Sequence, residues 1–527
     1  MPPEPPDYFA ATEAWLLAQP RRATAGGVRK RRPVAPDLAR HTANRIRRAT
    51  PASPGWQPPR WWARHKLTGR IRSVRPAFHN DGIAGLIKPD ERLLLAHTHG
   101  DRLRLRATLA YLNSYVEPSL SASCYGGRPD ANRRGTDRRA ALVRFRALVR
   151  DGGLPWAAKL DIANFFDAIP HGPLLAALRH QVPSRRCERE VACYLAWYWR
   201  ARWPDWPDAT PLPGEPLGVP QGSPISGVLA NVYLSAIDQA LERAGIVFLR
   251  YLDDVTILAP SPAALAAGLG TAMELLESLG MSLRAEKTQA AWLGGGEPPV
   301  SRLDLPGRGH ELPVAGDLDF LGIQFLGPEL FRARETTVNR LLRRARTAIV
   351  MGRGKRPAMQ RYFRACRRIN ELFGYELTGR PARCRIGKVR YVQPRQHAVL
   401  GHSELILEQM RRVDRTVRRW LRDEFGPAIA CRATGRSRRR ALGAWRVRSA
   451  ARMYEMETLS RNNAVELYGA HLDASSVAFR PLRRRVNVDR ASCSMPLALV
   501  VSGANLASAK VATQAGNGAG GCARHPA

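Results

Sequence analysis

Between residues 155 and 330, short apolar runs of strand length alternate with longer stretches of helical period. The run KLDIANFF (159–166) predicts a buried strand, and VFLRYLDDVTILAP (247–260) predicts two apolar strands that meet at Asp253 and Asp254. Further segments predict helices at 185–202, within 218–245 and at 262–279, and a hairpin at 317–334. This alternation predicts an α+β fold in which helices cover one face of an antiparallel sheet.

The flanking segments differ from this central pattern. Apolar spacing from 61 to 150 predicts helices, and from Thr336 apolar positions alternate with arginines, as in amphipathic basic helices. The two ends are rich in Pro and Arg, or in Ala, Gly and Ser, and show no sustained period. The predicted organisation is a flexible basic arm (1–55), a strand-and-helix region (56–330), a helical region (331–400), a basic helical extension (401–485) and a disordered tail (486–527).

The net charge of the chain indicates what kind of partner it binds. The chain has 83 Lys and Arg residues against 45 Asp and Glu residues, which gives a formal net charge of +38. A folded protein with such an excess requires a polyanion to screen it. The sequence therefore predicts a nucleic-acid partner whose binding weakens as salt is added.

Cysteine usage and hydropathy bear on location. The eight cysteines include no CxxC pair, which argues against zinc knuckles and against a disulfide framework. No segment reaches the ~18 consecutive apolar residues of a membrane span, and the N-terminus has no signal-peptide pattern. We expect a cytoplasmic protein, with nucleoid association as an alternative, and no membrane partner; the pattern leaves the oligomeric state open.

Three aspartates are candidate catalytic residues. Asp253 and Asp254 occupy a turn between two apolar strands, where adjacent like charges are costly without a cation between them. A purely structural hairpin turn would favour Asn-Gly or Asp-Gly, and no glycine follows here. Asp161 ends another predicted strand and supplies a third carboxylate. Convergent carboxylates of this kind hold two divalent metal ions about 3.5–4 Å apart for phosphoryl transfer.

Five motifs in a fixed order resemble those of reverse transcriptases. They are KLDIANFFDAIPH (159–171, similar to motif A), GVPQGSPISGVLANVYL (218–234, motif B), RYLDDVTIL (250–258, motif C), LGMSLRAEKT (279–288, motif D) and DFLGIQF (319–325, motif E). Upstream, SCYGGRPDANRRG (123–135) resembles the segment that precedes motif A in group II intron enzymes and their bacterial relatives. The resemblance covers about 120 to 330 and indicates a group II intron-like lineage.

The resemblance implies a right-hand polymerase with fingers and palm at 56–330, an α-helical thumb at 331–400 and a nucleic-acid-binding extension at 401–485. It implies two Mg²⁺ ions, replaceable by Mn²⁺, held by Asp161, Asp253, Asp254 and the carbonyl of Ile162. The other implied contacts are with the incoming nucleotide (Phe166, Gln221, Gly222 and Arg128), the leaving pyrophosphate (Lys287) and the primer end (Tyr251, Leu252, Phe320, Leu321 and Gly322). Phe166 matches the residue that collides with a ribose 2′-oxygen, whereas strand alternation places Phe165 in the core.

The activity that the resemblance implies is RNA-directed DNA synthesis. The implied partners are a structured template RNA, a DNA primer and product, and dNTPs. One alternative is a maturase-like protein that binds an intron RNA and assists its splicing. Another is a host-defence reverse transcriptase, with an antiviral role, that makes DNA without a template or primes itself. A polymerase that makes RNA or copies DNA is disfavoured by Phe166, and a purely RNA-binding protein has no need of Asp253 and Asp254.

Overall fold

The computed structural model describes the chain up to residue 458, with gaps. The described ranges are 7–18, 36–49, 55–66, 70–77, 79–129, 135–207, 210–284, 287–305, 309–354, 357–373, 400–432, 449–456 and residue 458. All of them lie in the compact unit Met1–Phe479. The tail predicted at 486–527 lies outside the described residues.

Helices and strands alternate along the described chain. The helices are α1 (Tyr8–Leu17), α2 (Pro36–Arg48), α3 (His99–Ser119), α4 (Arg138–Arg150), α5 (Phe165–Ala168), α6 (His171–Gln181), α7 (Arg185–Ala201), α8 (Ser226–Arg243), α9 (Pro262–Ser278), α10 (Glu335–Val350), α11 (Ala358–Phe373) and α12 (Glu404–Arg432). The strands are β1 (Arg60–His65), β2 (Ile71–Val74), β3 (Glu91–Ala96), β4 (Cys124–Tyr125), β5 (Trp156–Asp161), β6 (Val247–Tyr251), β7 (Asp254–Ala259), β8 (Gln289–Trp292), β9 (Arg302–Leu305), β10 (His310–Ala315), β11 (Leu318–Phe320), β12 (Ile323–Phe325) and β13 (Phe331–Ala333). The predicted mixture of helix and sheet is confirmed, and the three predicted central helices correspond to α7, α8 and α9.

The two N-terminal helices correct the expectation of a flexible arm at 1–55. Tyr8 of α1 is 1% exposed, and its hydroxyl lies 2.9 Å from Thr108 Oγ1 of α3. In α2, Ala39 and Ile46 belong to one buried face that packs into the same core. The expectation is wrong for these helices because a narrow apolar stripe anchors a helix even where Pro and Arg dominate the composition.

A small antiparallel sheet in the order β2-β1-β3 precedes α3. The helical expectation for 61 to 150 is therefore wrong over this stretch. Trp61 and Ala63 are buried while their neighbours in β1 are more exposed, which is the two-residue period of a strand. Leu95 of β3 lies opposite Trp61 and completes the buried face.

The main sheet has seven strands in the order β4-β6-β7-β5-β8-β10-β9. Its centre is antiparallel, and β4 with β6 and β8 with β10 form the parallel pairs. Side chains alternate between two cores: Phe248 of β6 joins the core with α8 and α9, and Leu249 joins the core with α4. The expectation that helices cover one face is wrong, because α4 and the hairpin strands β11–β13 cover the second face.

The C-terminal helices α10, α11 and α12 pack beside the sheet formed by β11, β12 and β13. Gly426, with φ 74°, interrupts α12. Asp414 of α12 accepts hydrogen bonds from the amides of Ala450 and Ala451 at 2.7 and 3.2 Å, which ties the returning chain to this helix. Among the described residues, no helix is both long and apolar enough to cross a membrane.

Candidate active site

The three candidate carboxylates meet at one end of the central strands. Asp161 is the last residue of β5, and the β5–β7 register places it opposite Asp254. Asp253 directly precedes Asp254 in the two-residue turn that joins β6 to β7, where Tyr251 pairs with Asp254. The fold therefore brings together two segments that are about 90 positions apart in the sequence.

The turn that carries Asp253 has an unusual backbone. Leu252 has φ 59°, a left-handed conformation that a leucine adopts only when its surroundings enforce it. Its side chain approaches Gly127, where an added Cβ would lie 2.7 Å from Leu252 Cδ2. Gly126 similarly leaves room for the ring of Tyr251. The turn thus packs against Gly126 and Gly127, which leave room for the side chains of Tyr251 and Leu252.

Cationic side chains accompany two of the carboxylates. Lys159 Nζ lies 2.9 Å from Asp254 Oδ1, and Lys287 Nζ lies 3.5 Å from Asp161 Oδ2. Arg284 Nη1 is 3.8 Å from the same Asp161 oxygen. Asp161 Oδ2 is nevertheless buried and has no hydrogen-bond partner among the described residues. A buried carboxylate oxygen that lies near cations but accepts no hydrogen bond is suited to a bound metal ion.

The donor set fits a hard divalent cation such as Mg²⁺, which prefers carboxylate oxygens. Burial, and next the charge of Asp254, raise the pKa of Asp253, and Asp161 adds to this effect. Within the described ranges, however, no three His, Cys, Asp or Glu side chains already surround one point. The three carboxylates are thus assembled on adjacent strands, and their side chains would have to turn toward a shared ion.

The carbonyl of Ile162 is directed toward the same region. Ile162 faces Leu283 in an antiparallel bridge, and the flanking bonds run from Arg284 N to Asp161 O and from Ala163 N to Ser282 O. Facing residues in such a pair exchange no hydrogen bond, so the Ile162 carbonyl points to the opposite edge of its strand. That edge faces β7 and the Asp253 turn. The ligand role predicted for Ile162 is compatible with this direction and stays a prediction.

The predicted nucleotide residues lie beside the carboxylates. Phe165 is 2% exposed and belongs to the core, whereas Phe166 is only partly buried. The carbonyl of Phe166 accepts a hydrogen bond from Val219 N at 2.7 Å. This bond joins motif A to the motif B turn, which contains Gln221 and Gly222. The core position expected for Phe165 is confirmed.

The motif B turn also contacts the small N-terminal sheet. The carbonyl of Gln221 accepts a hydrogen bond from Leu95 N of β3 at 2.9 Å. Gly222 has φ 100°, and a Cβ on it would lie 2.9 Å from the Leu95 carbonyl oxygen. Gly222 therefore permits a close approach of two backbones that any side chain would prevent.

Sequence reasoning missed two basic residues, Arg92 in β3 and Lys66 directly after β1. Arg92 and Lys66 are close enough to Asp167 for their charges to lower its pKa, although burial, the largest effect, raises it. Arg92 also acts on Asp253 in the same direction. Asp167 in turn accepts a side-chain hydrogen bond from Gln221. The only available sequence signal was the presence of these cations in a segment read as helical.

Arg128 is placed differently from the prediction. Its guanidinium donates to Glu117 Oε1 at 2.7 and 3.0 Å and to the carbonyls of Ser121 and Cys124, each at 3.0 Å. The side chain is 9% exposed. Arg128 braces the chain between α3 and β4, and the nucleotide contact predicted for it is not what the structure shows.

The predicted primer residues separate into two groups. Leu321 and Gly322, with φ 48° and 84°, form the partly exposed turn between β11 and β12, and Arg138 donates to the Leu321 carbonyl at 2.8 Å. Phe320 is 1% exposed and stacks on Phe145 with ring centroids 4.6 Å apart. Direct contact of Phe320 with a primer is therefore contradicted by its burial, whereas Leu321, Gly322 and Tyr251 are partly exposed.

A cluster of arginines lies where α10 approaches β1. Burial lowers the pKa of Arg340, and the charges of Arg64, Arg343 and Arg334 lower it further. Arg334 is paired with Asp319 at 2.9 Å, and an anion bound beside the other arginines would reduce the repulsion among them. The cluster is therefore a candidate site for a phosphate backbone.

The family comparison agrees with this geometry. The family model "Reverse transcriptase (RNA-dependent DNA polymerase)" matches residues 93–327, a range that contains all three aspartates. Residues 93–327 are a reverse transcriptase domain. The predicted membership is thereby confirmed, and the group II intron-like lineage stays a prediction.

Curated relatives of the reverse transcriptase domain match over short stretches. An "Uncharacterized 91 kDa protein in cob intron" from Schizosaccharomyces pombe is 26% identical over 148 residues, which is 27% of this chain and 16% of that protein. "Protein YkfC" from Escherichia coli is 26% identical over 143 residues, 27% of this chain and 35% of that protein. The chain thus spans about a sixth and a third of these two relatives.

Similar solved structures include two telomerases. The apo telomerase from Candida tropicalis has a TM-score of 0.34 and 12% identity, covering 70% of this chain and 61% of that chain. The telomerase from Candida albicans in complex with a TWJ fragment of telomeric RNA has a TM-score of 0.31 and 12% identity, covering 72% and 63%.

Proposed function

We propose that the protein is an RNA-directed DNA polymerase that adds dNTPs to a primer 3′-hydroxyl with the help of two divalent metal ions. The observation that carries this proposal is the strand register that sets Asp161 opposite Asp254 with Asp253 in the adjoining turn. The family match over the same residues gives the reaction class. In this proposal the seven-stranded sheet is the palm, the small sheet with α3 belongs to the fingers, and α10–α12 form the thumb.

The chemistry divides between ions and side chains. Mg²⁺, bound by Asp161, Asp253, Asp254 and the Ile162 carbonyl, would activate the attacking hydroxyl and offset charge on the leaving group. Lys287, half exposed and already beside Asp161, is positioned to donate a hydrogen bond or a proton to the departing pyrophosphate. The residues themselves therefore orient the reactants and balance charge.

Nucleotide selection falls to the surface between motif A, motif B and the small sheet. In this proposal the ring of Phe166 would clash with a ribose 2′-hydroxyl. Gln221 and Gly222 would pack against the incoming nucleotide. Arg92 and Lys66 place positive charge near Asp167. In this proposal they bind the triphosphate. In this arrangement, dNTPs are the preferred substrates.

The template and primer would lie between the small sheet and the C-terminal helices. Arg64 belongs to β1, whereas Arg340 and Arg343 belong to α10, so both elements contribute positive charge. Together with the net charge of +38, they favour a duplex whose phosphates they neutralise. We propose an RNA template with a DNA primer as this duplex.

A second candidate is an intron-related role in RNA binding and splicing. The name of the matched Schizosaccharomyces pombe protein places that protein in an intron, and this observation favours the candidate. The intact set of three aspartates favours catalysis over RNA binding alone. A maturase-like role predicts that binding of the cognate RNA is unaffected by Asp253→Ala.

The decisive experiment is primer extension with purified full-length protein. An RNA template annealed to a DNA primer is incubated with dNTPs and Mg²⁺, with and without excess EDTA. We expect extension by the wild type, none with EDTA, and a loss of about 10³-fold or more in Asp253→Ala, because the carboxylate holds the catalytic ions.

Asp304→Ala is the matched control, since Asp304 is an exposed aspartate of β9. It should extend the primer like the wild type. Equal extension by Asp253→Ala and Asp304→Ala would contradict the proposed function.

A further inference from the structure

Arg250 occupies an apolar position of the main sheet. It lies in β6, immediately before Tyr251, and is 1% exposed. Alternation along the strand places it on the same face as Phe248, which packs into the core with α8 and α9. A guanidinium in such a core is strongly disfavoured unless every donor is satisfied.

All five N–H groups of this guanidinium find acceptors. Nε and Nη2 donate to the two carboxylate oxygens of Asp238 at 2.7 and 2.5 Å, and Nη2 also lies 3.1 Å from Cys124 Sγ. Nη1 donates to Asn231 Oδ1 at 3.0 Å and to the carbonyl oxygen of Leu252 at 3.1 Å. The planar fork of arginine is needed for this set, because lysine has one nitrogen.

The bond to Leu252 reaches the turn that bears Asp253. Leu252 is the residue with the left-handed backbone, and its carbonyl belongs to the peptide bond that leads into Asp253. A hydrogen bond to this carbonyl fixes the plane of that peptide. The direction in which Asp253 leaves the turn is therefore tied to Arg250.

The same network links the turn to two other segments. Asn231 of α8, which accepts from Arg250, donates through Nδ2 to the Gly126 carbonyl at 3.1 Å. Cys124 of β4 lies in that same upstream segment. Stability alone is a poor account of such an arrangement, since well-packed apolar residues stabilise a core at least as well as a buried ion pair.

We propose that Arg250 is a positioning residue that sets the motif C turn through the Leu252 carbonyl, with Asp238 and Asn231 holding the guanidinium in place. The inference rests on the proposed function, because it gives Asp253 its orientation for metal binding. It concerns residues that touch neither nucleotide nor metal ion.

The main test removes the ion pair as a unit. Arg250→Met combined with Asp238→Leu leaves no uncompensated buried charge, so the core can remain folded. The matched control is Arg104→Met with Glu190→Leu, a buried arginine–carboxylate pair that joins α3 to α7 at 2.5 and 2.6 Å. Each protein is assayed for Tm, for Mn²⁺ affinity by electron paramagnetic resonance without nucleic acid, and for kcat and dNTP KM.

We expect the Arg250/Asp238 double variant to bind Mn²⁺ about tenfold or more weakly and to lose kcat by a similar factor, with dNTP KM changed less than about threefold. The Arg104/Glu190 double variant should keep both Mn²⁺ affinity and kcat within about twofold. A folded Arg250/Asp238 variant with wild-type Mn²⁺ affinity and kcat would overturn the proposal.

A second-site change separates positioning from general stability. Leu252→Asn introduces a residue that tolerates the left-handed conformation on its own. Added to the Arg250/Asp238 variant, it should restore Mn²⁺ affinity by about threefold or more. Absence of any recovery would mean that the turn conformation is not what Arg250 controls.

Arg250→Lys decides the matter if the double variant does not fold. Lysine keeps the buried positive charge beside Asp238 but cannot reach all of the acceptors at once. We expect weaker Mn²⁺ binding here too, and wild-type values would overturn the proposal. Mn²⁺ affinity can be measured without polymerase activity. A wild type that extends no primer would therefore contradict the proposed function and leave the test of Arg250 intact.

Discussion

Lys159 Nζ and Asp254 Oδ1 lie 2.9 Å apart, across the two central strands β5 and β7. Lys159 pairs with Thr256 in the register, so its side chain reaches diagonally along the sheet toward the carboxylate. About a fifth of the lysine side chain and a third of the aspartate side chain are exposed. The sheet therefore supplies one carboxylate of the site with its own counterion.

Lys159→Met should strengthen metal binding, whereas a substitution that merely damaged the site would weaken it. Without the ammonium group, Asp254 lacks its nearest positive charge, so we expect Mn²⁺ to bind about threefold to tenfold more tightly in the absence of nucleic acid. The metal-free Tm should fall, and added Mn²⁺ should raise it more than in the wild type. Lys159→Arg keeps the charge and serves as control; unchanged affinity in Lys159→Met would contradict the argument.

Gly222→Ala tests the contact between motif B and the small sheet. The new Cβ would lie 2.9 Å from the Leu95 carbonyl oxygen, and since both partners are backbone, the turn must move. We expect dNTP KM to rise about tenfold with a smaller change in kcat.

Gly245→Ala provides the comparison for Gly222→Ala. Gly245 also has a positive φ, of 69°, but an added Cβ there meets no atom within 4 Å. Both substitutions share the backbone strain of about 1–3 kcal/mol. A similar rise in KM for both variants would show that strain, rather than the approach to Leu95, is responsible.

Stability should depend on pH through His97. Burial lowers the pKa of His97 to about 4, and its Nε2 lies 2.7 Å from the Tyr194 hydroxyl. The unfolded chain binds this proton near the ordinary pKa of about 6.5, so the contribution is fully present above that pH and is lost as the pH falls toward 4.

His97→Gln should flatten this dependence. We expect the Tm of the wild type to fall by on the order of 2 °C more than that of the variant between pH 7 and pH 5. Thermal unfolding followed by circular dichroism measures the difference, and parallel Tm curves for both proteins would be inconsistent with a buried neutral imidazole.

The sequence was sufficient for the acidic site because its residues lie in short local motifs. Asp253 and Asp254 are adjacent, and Asp161 ends a strand whose apolar pattern is plain. The convergence of those strands followed from the fold class. The strand predicted at 159–166 ends at Asp161, and Phe165 and Phe166 belong to the helix α5. The expected burial of Phe165 is therefore correct, although the strand alternation from which it was predicted is absent there.

Other features depend on contacts between segments that are distant in the sequence, and the sequence pattern could not predict them. Arg128 has the charge expected of a phosphate ligand, but Glu117 lies on the preceding helix and binds it. Phe320 belongs to the motif for which the resemblance implies a primer contact, yet its ring packs on Phe145. The role suggested for Arg92 depends on the sheet formed by β1, β2 and β3, which brings the charge of Arg92 near Asp167 and Asp253.

Phe166→Ala should relax sugar discrimination. Removing the ring opens space for a 2′-hydroxyl, so the ratio of kcat/KM for dCTP over CTP should fall by about tenfold to a hundredfold. Single-nucleotide incorporation on an RNA template measures both substrates. Phe165→Ala, in the buried neighbour, should lower Tm while leaving the ratio within about threefold. An unchanged ratio in Phe166→Ala would remove this residue from nucleotide selection.

Arg340→Ala should reduce the salt dependence of nucleic-acid binding. If the arginines around Arg340 bind a phosphate backbone, losing one contact should lower the slope of log K against log salt by about 1 for an RNA–DNA duplex. Relief of the repulsion from Arg64 and Arg334 should at the same time leave Tm unchanged or slightly higher. Fluorescence anisotropy between 0.1 and 0.4 M salt, an interval chosen to span roughly physiological ionic strength, gives the slope. Arg302→Ala, on the exposed β9–β10 hairpin where Arg302 pairs with Glu311, is the matched control and should leave the slope as it is. If Arg340→Ala also leaves it as it is, the convergence of these side chains serves something other than the duplex.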